Sequence, residues 1–234
     1  DSGNFAAVTV KQHRRIDLPR NPRAPADLVE PVRGFDGELF PRVVDDDKCD
    51  AMLFAQIDER IIAGQGTAGL EIAEQATELG LGVDNLLVCC GGGGLTAGCA
   101  IGLHGVFPDA NVFTVEPEDF DDTARSLDRG ERVANSPDAR SICDALLTDM
   151  PGQLTYDIMR EHVAAGLTVS DAEVRDAMRF AFRNLKVVVE PGGAVGLAAV
   201  LAGKADTAGK TTAIIFSGGN VDAELYASIQ TERT

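Results

Sequence analysis

Four consecutive glycines, Gly91, Gly92, Gly93 and Gly94, carry the clearest chemical signal in this sequence. The apolar residues 86–90 before them predict a buried strand, and the small apolar residues 95–106 after them predict a helix. Backbone N–H groups of a glycine turn at the start of a helix can converge on an anion. The pattern therefore predicts a phosphate cradle, with a tight turn of any α/β sheet as the alternative.

The segments that must position this turn alternate between strand and helix. Strands are predicted over residues 111–115, 187–189 and 212–216, and helices over residues 68–76, 154–164 and 190–201. A capping box, Ser170 with Glu173, begins a further helix that is predicted to run to about residue 185. Alternating strands and helices indicate a parallel sheet with helical crossovers. Because ligands bind beyond the carboxyl ends of such strands, the glycine turn and Glu116 are expected at one edge.

Composition excludes several classes of protein. The 234 residues carry a formal net charge of −16, with no Trp and two Tyr, which argues against a nucleic-acid partner. No apolar run reaches the length of a membrane span. The five cysteines lack zinc-finger spacing, so they are expected to be thiols in a reducing, cytoplasmic environment.

Six motifs occur in the order in which one enzyme family carries them. They are Ser2-Gly3-Asn4, the Ala-Gly-Gln-Gly-Thr of residues 63–67, the glycine run with Leu95, the Val-Glu-Pro-Glu of residues 115–118, the Glu-Pro-Gly-Gly-Ala of residues 190–194 and the Ser-Gly-Gly-Asn of residues 217–220. Together they resemble fold type II pyridoxal-phosphate enzymes of the threonine/serine dehydratase and serine racemase group, which includes threo-3-hydroxyaspartate dehydratases. The resemblance implies a three-layer αβα fold like that of the tryptophan synthase β-subunit. It also implies a partial small α/β domain over residues 1–60 and a large cofactor domain over residues 61–234.

The resemblance assigns roles to individual residues. The backbone amides of Gly91, Gly92, Gly93, Gly94 and Leu95 would hold the cofactor phosphate, and Ser217 would bond the pyridine nitrogen. Asn4 would bond the 3′-oxygen of the ring, and Ser2 would act as a second acid or base. A plain turn or a helix cap is the alternative for Ser2 and Asn4. Glu190 would lie near the cofactor, or else would cap its own helix.

The acidic residues 116–122 resemble the divalent-metal loop of the same group. The implied ligands are Glu116, the carbonyl oxygen of Phe120, and Asp122. Oxygen donors of this kind suit Mg²⁺, Mn²⁺ or Ca²⁺. The alternative is an acidic loop at the end of a strand. The three histidines, His13, His104 and His162, are interpreted as structural or surface groups.

The function implied by the resemblance is that of an ammonia-lyase. Its substrates would be small β-hydroxy amino acids such as threonine, serine or 3-hydroxyaspartate, and its products a 2-oxo acid and ammonia. A homodimer is implied as well. The family carries its cofactor-bearing lysine in a Ser-x-Lys segment before the Ser-Gly-Asn loop, where this sequence begins, so no lysine here is assigned to that role. A portion of a complete enzyme is therefore expected; a racemase-like isomerase and a truncated, non-catalytic phosphate-binding relative are the alternatives.

Overall fold

A computed structural model describes residues 59–232, and these contain one four-stranded sheet in the order β3-β2-β1-β4 with every pair parallel. The strands are β1 (Asn85–Cys89), β2 (Asn111–Pro117), β3 (Ala165–Val169) and β4 (Thr212–Ile214). The helices are α1 (Glu59–Glu78), α2 (Gly94–His104), α3 (Asp122–Arg129), α4 (Gln153–His162), α5 (Asp171–Phe180), α6 (Pro191–Leu201) and α7 (Ala223–Thr231). Short 3₁₀ turns span Glu118–Phe120 and Asp144–Leu146, and a π-helical turn spans Ala181–Leu185.

The sheet has a helical layer on each face, which confirms the predicted three-layer α/β fold. Successive side chains of a strand point to opposite faces. Leu86 and Val88 accordingly pack into a core with Ile72 of α1 and Leu103 of α2. Leu87 and Cys89 pack on the other face, in a second core that contains the buried side chains of α5, α6 and α7.

Glycines set the close approach of α1 and α2. A Cβ added at Gly98 would lie 2.6 Å from the backbone nitrogen of Gly66, and one added at Gly66 would lie 2.9 Å from the carbonyl oxygen of Gly98. Such distances leave no room for a side chain. The sequence placed residues 63–67 ahead of a helix, but α1 already begins at Glu59, and this motif forms part of the helix crossing.

Two local predictions have clear outcomes in the structure. The capping box is confirmed, since the Ser170 Oγ accepts a bond from the Glu173 N–H at 3.3 Å and the Glu173 carboxylate accepts one from the Ser170 N–H at 2.7 Å. The strand predicted over residues 187–189 is wrong. The Val187 N–H donates instead to the Ala181 carbonyl at 3.1 Å, back into the π-helical turn, and is thereby withdrawn from sheet pairing.

Other expectations are met in part. The helix that begins at the capping box ends at Phe180 and passes into the π-helical turn instead of continuing as α-helix to residue 185. β4 ends at Ile214, although the Ile215 N–H still donates to the Leu87 carbonyl at 3.2 Å.

Among the helices of residues 59–232, none is both long and apolar enough to cross a bilayer. The division at residue 60 stays a prediction, because residues 1–58 lie outside the described part of the chain.

Candidate functional site

The glycine loop joins the carboxyl end of β1 to the first turn of α2. Every residue of β1 is buried, and the Cys90 N–H still pairs with the Val115 carbonyl of β2 at 3.0 Å. The chain leaves the sheet immediately afterwards, and α2 begins at Gly94. The structure therefore confirms the predicted strand, turn and helix.

Gly93 adopts a conformation that a side chain would oppose. Its φ is +90°, in the left-handed region, and a Cβ there would lie 2.6 Å from Met159 Cε and 2.9 Å from Thr155 Oγ1. The Thr155 hydroxyl donates to the Gly92 carbonyl at 2.6 Å, which turns that oxygen toward α4. Because a trans peptide places its C=O and N–H on opposite sides, the Gly93 N–H points away from α4.

The backbone donors of this loop form an anion-binding arrangement. Within residues 59–232, the N–H groups of residues 91–95 donate to no protein acceptor. The N-cap of α2 is Gly93, so no capping side chain competes for them. The first turn of a helix also carries a partial positive charge. Unpaired donors at that end bind negatively charged groups such as phosphate.

A cavity of about 230 Å³ lies against these amides at the carboxyl edge of the sheet. It is lined by Ile61, Gln65, Cys89, Gly91, Gly92, Gly93, Gly94, Leu95, Ala145, Leu146 and Ser217. None of these side chains is charged, so in this part of the chain an anion would meet only neutral donors and the helix end. A larger groove of about 470 Å³ runs along α1 and α2, but Glu59 and Thr67 supply its only polar side chains among the described residues.

Ser217 reaches the cavity from a loop that Glu190 holds in place. The Glu190 carboxylate accepts a bond from the Asn220 N–H at 2.8 Å, and the Glu190 N–H donates to the Gly218 carbonyl at 3.1 Å. Glu190 is the N-cap residue of α6, but its side chain makes no capping bond to that helix. Glu190 thus occupies the N-cap position of the helix-cap alternative, but its carboxylate bonds the loop after β4 and not the helix.

A second strand–helix junction, between β2 and α3, buries two carboxylates. Glu116 is fully buried and accepts bonds from the Thr123 N–H at 3.0 Å and the Ala124 N–H at 2.8 Å. Asp122 is 1% exposed, and its Oδ1 accepts a bond from the Asn135 amide at 2.5 Å. The Asp122 Oδ2 is buried without a donor among the described residues.

Burial is the main cause of the pKa shifts of Glu116 and Asp122. It raises the pKa of Glu116 to about 8, with the negative charge of Asp122 adding to the rise. It also raises the pKa of Asp122 to about 7, against the opposing hydrogen bond from Asn135. Both groups therefore favour the protonated form more than an exposed carboxyl does.

Comparison with protein families decides the identity of this chain. The family model described as "Pyridoxal-phosphate dependent enzyme" matches residues 42–218. The chain belongs to this pyridoxal-phosphate dependent enzyme family. A serine racemase from Schizosaccharomyces pombe is 34% identical over 245 residues, which cover 97% of this chain and 73% of the relative. A beta-hydroxyaspartate dehydratase from Paracoccus denitrificans is 34% identical over 231 residues, or 94% of this chain and 71% of the relative.

Solved structures of this pyridoxal-phosphate family support the same fold. The T.th. threonine deaminase matches with a TM-score of 0.67 and 42% identity, over 70% of this chain and 60% of that one. The maize serine racemase matches with a TM-score of 0.65 and 37% identity, over 72% of this chain and 51% of that one. This chain therefore spans between half and two thirds of the length of these two enzymes.

The residues around the glycine loop fit the phosphate-bearing cofactor of the family. The loop offers unpaired N–H groups beside a cavity, and at Gly93 it leaves the space that a Cβ would fill. Ser217 adds a neutral hydroxyl to the same cavity. Six of the predicted site residues thus come together: Gly91, Gly92, Gly93, Gly94, Leu95 and Ser217. Ser2 and Asn4, predicted to contact substrate and cofactor, lie outside the described residues.

The predicted metal loop lies at the β2–α3 junction, and its predicted ligand oxygens differ in whether they already accept hydrogen bonds. Both Glu116 oxygens already accept backbone bonds, whereas Asp122 Oδ2 has no described donor. Phe120 is buried in the 3₁₀ turn between them. Within residues 59–232, no three His, Cys, Asp or Glu side chains converge as a metal cluster, and the predicted set relies on a carbonyl oxygen as its third member.

Some contacts of the site were absent from the sequence analysis. Thr155 holds the Gly92 carbonyl from 63 residues away, so no local pattern could indicate it. Cys89, which lines the cavity, precedes the glycine run by two positions, and this nearness was the only sequence signal that could have indicated it. His104 and His162 pair through their Nδ1 atoms at 3.0 Å and join the ends of α2 and α4, which supports the structural role predicted for them. His13 lies outside the described residues.

Proposed function

We propose that the protein is a pyridoxal-phosphate-dependent ammonia-lyase that acts on small β-hydroxy amino acids, namely threonine, serine or 3-hydroxyaspartate. One observation supports this most strongly. The unpaired amides at the start of α2 and the Ser217 hydroxyl line one cavity at the carboxyl edge of the sheet. A site of this kind holds both ends of a molecule that carries a phosphate at one end and an aromatic ring at the other.

The glycine loop would bind the phosphate. Its amides and the positive end of α2 would supply the attraction, since the described lining of the cavity contains no cationic side chain. The bond from Thr155 to the Gly92 carbonyl keeps that oxygen turned toward α4, where it cannot repel the phosphate. Binding therefore depends on backbone geometry more than on side-chain charge.

Ser217 would bond the pyridine nitrogen of the cofactor. When bound, the cofactor supplies an electron sink for the electrons that remain at Cα after proton loss. A hydroxyl partner, unlike a carboxylate, adds no negative charge that would favour a protonated ring. A hydroxyl at this position therefore makes the ring a weaker electron acceptor, which favours loss of the β-hydroxyl as water over amino-group transfer. Ser2, as an acid or base, and Asn4, at the 3′-oxygen, complete the proposal as predictions.

A racemase-like isomerase is the second candidate. The serine racemase from Schizosaccharomyces pombe is similar over nearly the whole of this chain, as the beta-hydroxyaspartate dehydratase is. Both reactions begin with proton loss at Cα, so the same cofactor contacts serve either. They differ in the next step, which is return of a proton to the opposite face or departure of the β-hydroxyl. A homodimer and a cytoplasmic location stay predictions for both candidates.

A divalent cation at the β2–α3 junction forms a further part of the proposal. Asp122 Oδ2 is a buried oxygen without a hydrogen-bond donor among the described residues. The negative charges of Asp122 and Glu116 repel each other. A cation held by Glu116, Asp122 and the carbonyl oxygen of Phe120 would neutralise that repulsion. Mg²⁺, Mn²⁺ and Ca²⁺ prefer such oxygen ligands. The cation would brace the β2–α3 junction without contacting the substrate.

The activity can be tested with the protein as its own gene encodes it. The purified protein, loaded with pyridoxal phosphate, is incubated separately with L-threonine, L-serine and L-threo-3-hydroxyaspartate, and 2-oxo acid and ammonia are both measured. Equal amounts of the two products from at least one substrate are expected. Formation of the D-amino acid without ammonia would favour the isomerase. Cofactor binding without turnover of any of the three would contradict the lyase and support a non-catalytic relative.

A further inference from the structure

The Cys89 thiol contacts the Ser217 hydroxyl at the wall of the cavity. Cys89 is the last residue of β1 and is 5% exposed, and its Sγ donates to the Ser217 Oγ at 3.2 Å. Since β4 pairs directly with β1, Ser217 follows the neighbouring strand and meets Cys89 at the same edge of the sheet. Both residues line the cavity beside the glycine loop.

The direction of this bond determines where the Ser217 hydrogen points. A hydroxyl has one hydrogen to donate, and it can accept bonds through its lone pairs. Because Ser217 accepts from Cys89, its own hydrogen is directed elsewhere. Within residues 59–232, no group accepts a hydrogen bond from Ser217, and the hydroxyl faces the cavity.

The thiol keeps the proton that this arrangement needs. Burial raises the pKa of Cys89 above the ordinary value for a thiol, against the opposing hydrogen bond with Ser217, and the nearby charge of Glu190 adds to the rise. At neutral pH the side chain is therefore an S–H donor. A thiolate would instead accept the Ser217 hydrogen and reverse the bond.

We propose that Cys89 is a positioning residue, whose S–H fixes the Ser217 hydroxyl so that its hydrogen faces the pyridine nitrogen of the cofactor. This inference rests on the proposed function, and it adds to that function a residue that acts through the Ser217 hydroxyl. Without the thiol, the hydroxyl rotates between several orientations, and only some of them donate to the ring. The ring nitrogen should therefore contribute less to binding.

Two ligands separate this role from simple packing. 4′-Deoxypyridoxine 5′-phosphate lacks the aldehyde, so its binding requires no lysine. Its 1-carba analogue replaces the ring nitrogen by C–H and keeps the phosphate. Affinities of both are measured by calorimetry, at a pH where the free ligand's ring nitrogen carries no proton. Wild type is expected to prefer the pyridine ligand by about two- to tenfold, which is the usual range for one hydrogen bond.

The variants give distinct patterns. Cys89→Ala should lower that preference toward one, Cys89→Ser should restore it through an O–H donor, and Ser217→Ala should abolish it. Cys143→Ala is the matched control. Cys143 is buried in the same core as Cys89, and its substitution should leave the preference unchanged.

Other results would overturn the inference. If Cys89→Ala weakened both ligands equally, the thiol would act through packing alone. If Cys89→Ala kept the wild-type preference while Ser217→Ala lost it, Ser217 would need no positioning. If wild type bound neither ligand, the proposed function would itself fail, and the inference with it.

Discussion

The β1–α2 and β2–α3 junctions solve the same structural problem in opposite ways. In each, a parallel strand of the sheet leads into a helix whose first N–H groups need partners. At the β2–α3 junction the chain supplies its own acceptor, because the Glu116 carboxyl group accepts bonds from the Thr123 and Ala124 N–H groups. At the β1–α2 junction no described side chain caps the helix, and the glycine amides face a cavity.

At one junction the N–H groups of the helix bond to a side chain of the protein, whereas at the other they are left for a ligand. Where the acceptor is an internal carboxyl group, its burial disfavours the charged form, and the pKa of Glu116 rises to about 8. At the β1–α2 junction, where the anion would be a ligand, the backbone instead requires a glycine, Gly93, at a φ of +90°. The contrast predicts that substitutions at the β2–α3 junction change stability, whereas substitutions at the β1–α2 junction change cofactor affinity as well.

The largest effect is expected for Gly93→Ala. The new Cβ would meet Met159 Cε at 2.6 Å, on a backbone at a φ of +90°. The left-handed conformation alone costs a non-glycine residue about 1–2 kcal/mol, and the clash adds to this. Affinity for the phosphate ligand should fall at least about tenfold. Calorimetric titration and thermal unfolding measure both effects.

Gly91→Ala is the matched control for that substitution. Its Cβ would make ordinary contacts of 3.5 Å with Leu146 and Thr148. It should therefore unfold at nearly the wild-type temperature. Equal loss of stability in the two alanine variants would contradict the geometry assigned to Gly93.

Glu116→Ala should affect only stability. It would leave the Thr123 and Ala124 N–H groups buried without their acceptor, at a cost of about 1–3 kcal/mol for each unsatisfied group. Glu116→Gln keeps one acceptor oxygen and should cost less. Denaturant unfolding measures the change. A loss of affinity for the phosphate ligand comparable to that of Gly93→Ala would show that the two junctions are coupled.

The acidic junction should give the protein a distinct pH dependence when divalent cations are chelated. Glu116 and Asp122 have pKa values of about 8 and about 7 in the folded chain, against 4.5 and 3.8 for unperturbed groups. Between about pH 4 and about pH 8 the unfolded chain therefore binds fewer protons, and the free energy of unfolding falls as pH rises. Urea unfolding at several pH values measures this slope.

Two comparisons refine the pH experiment. Asp122→Asn should flatten the slope, because it removes one titrating group and lowers the repulsion on Glu116. Added Mg²⁺ should stabilise wild type most at high pH if the proposed cation site exists. A slope that is unchanged in Asp122→Asn would contradict the titration assigned to this pair.

The smallest effect is expected for Thr155→Val. The substitution keeps the shape of the side chain but removes the 2.6 Å bond to the Gly92 carbonyl. Such a bond contributes about 0.5–1.5 kcal/mol, so affinity for the phosphate ligand should fall about two- to tenfold. Thr155→Ser keeps the hydroxyl and is the control. The proposed anchoring of the glycine loop would be wrong if valine and serine gave the same affinity.

The sequence could predict what depends on neighbouring residues. The strand, the glycine turn and the helix after it are encoded locally, as is the capping box of Ser170 and Glu173. The contact of Thr155 with Gly92 could not be predicted, because it joins residues that only the fold brings together. The β-branched run at residues 187–189 misled the prediction, since the Val187 N–H bonds to the π-helical turn.

Glu116 shows a further reason why a sequence pattern does not determine the role of a residue in a site. The motif around it was interpreted as a metal loop, yet in the described residues both its oxygens accept bonds from the backbone of α3. Residue type cannot distinguish these uses, because a carboxylate suits a helix end and a cation equally well. The distinction needs the position of each oxygen.

The most direct test of the account concerns the glycine amides themselves. Amide chemical shifts of the ¹⁵N-labelled protein are followed while 4′-deoxypyridoxine 5′-phosphate is added, with unphosphorylated 4′-deoxypyridoxine as the control. We predict saturable shifts centred on Gly91, Gly92, Gly93, Gly94 and Leu95 with the phosphate ligand alone. Saturable shifts located elsewhere, or equal shifts with both ligands, would contradict the claim that these backbone amides bind the cofactor phosphate.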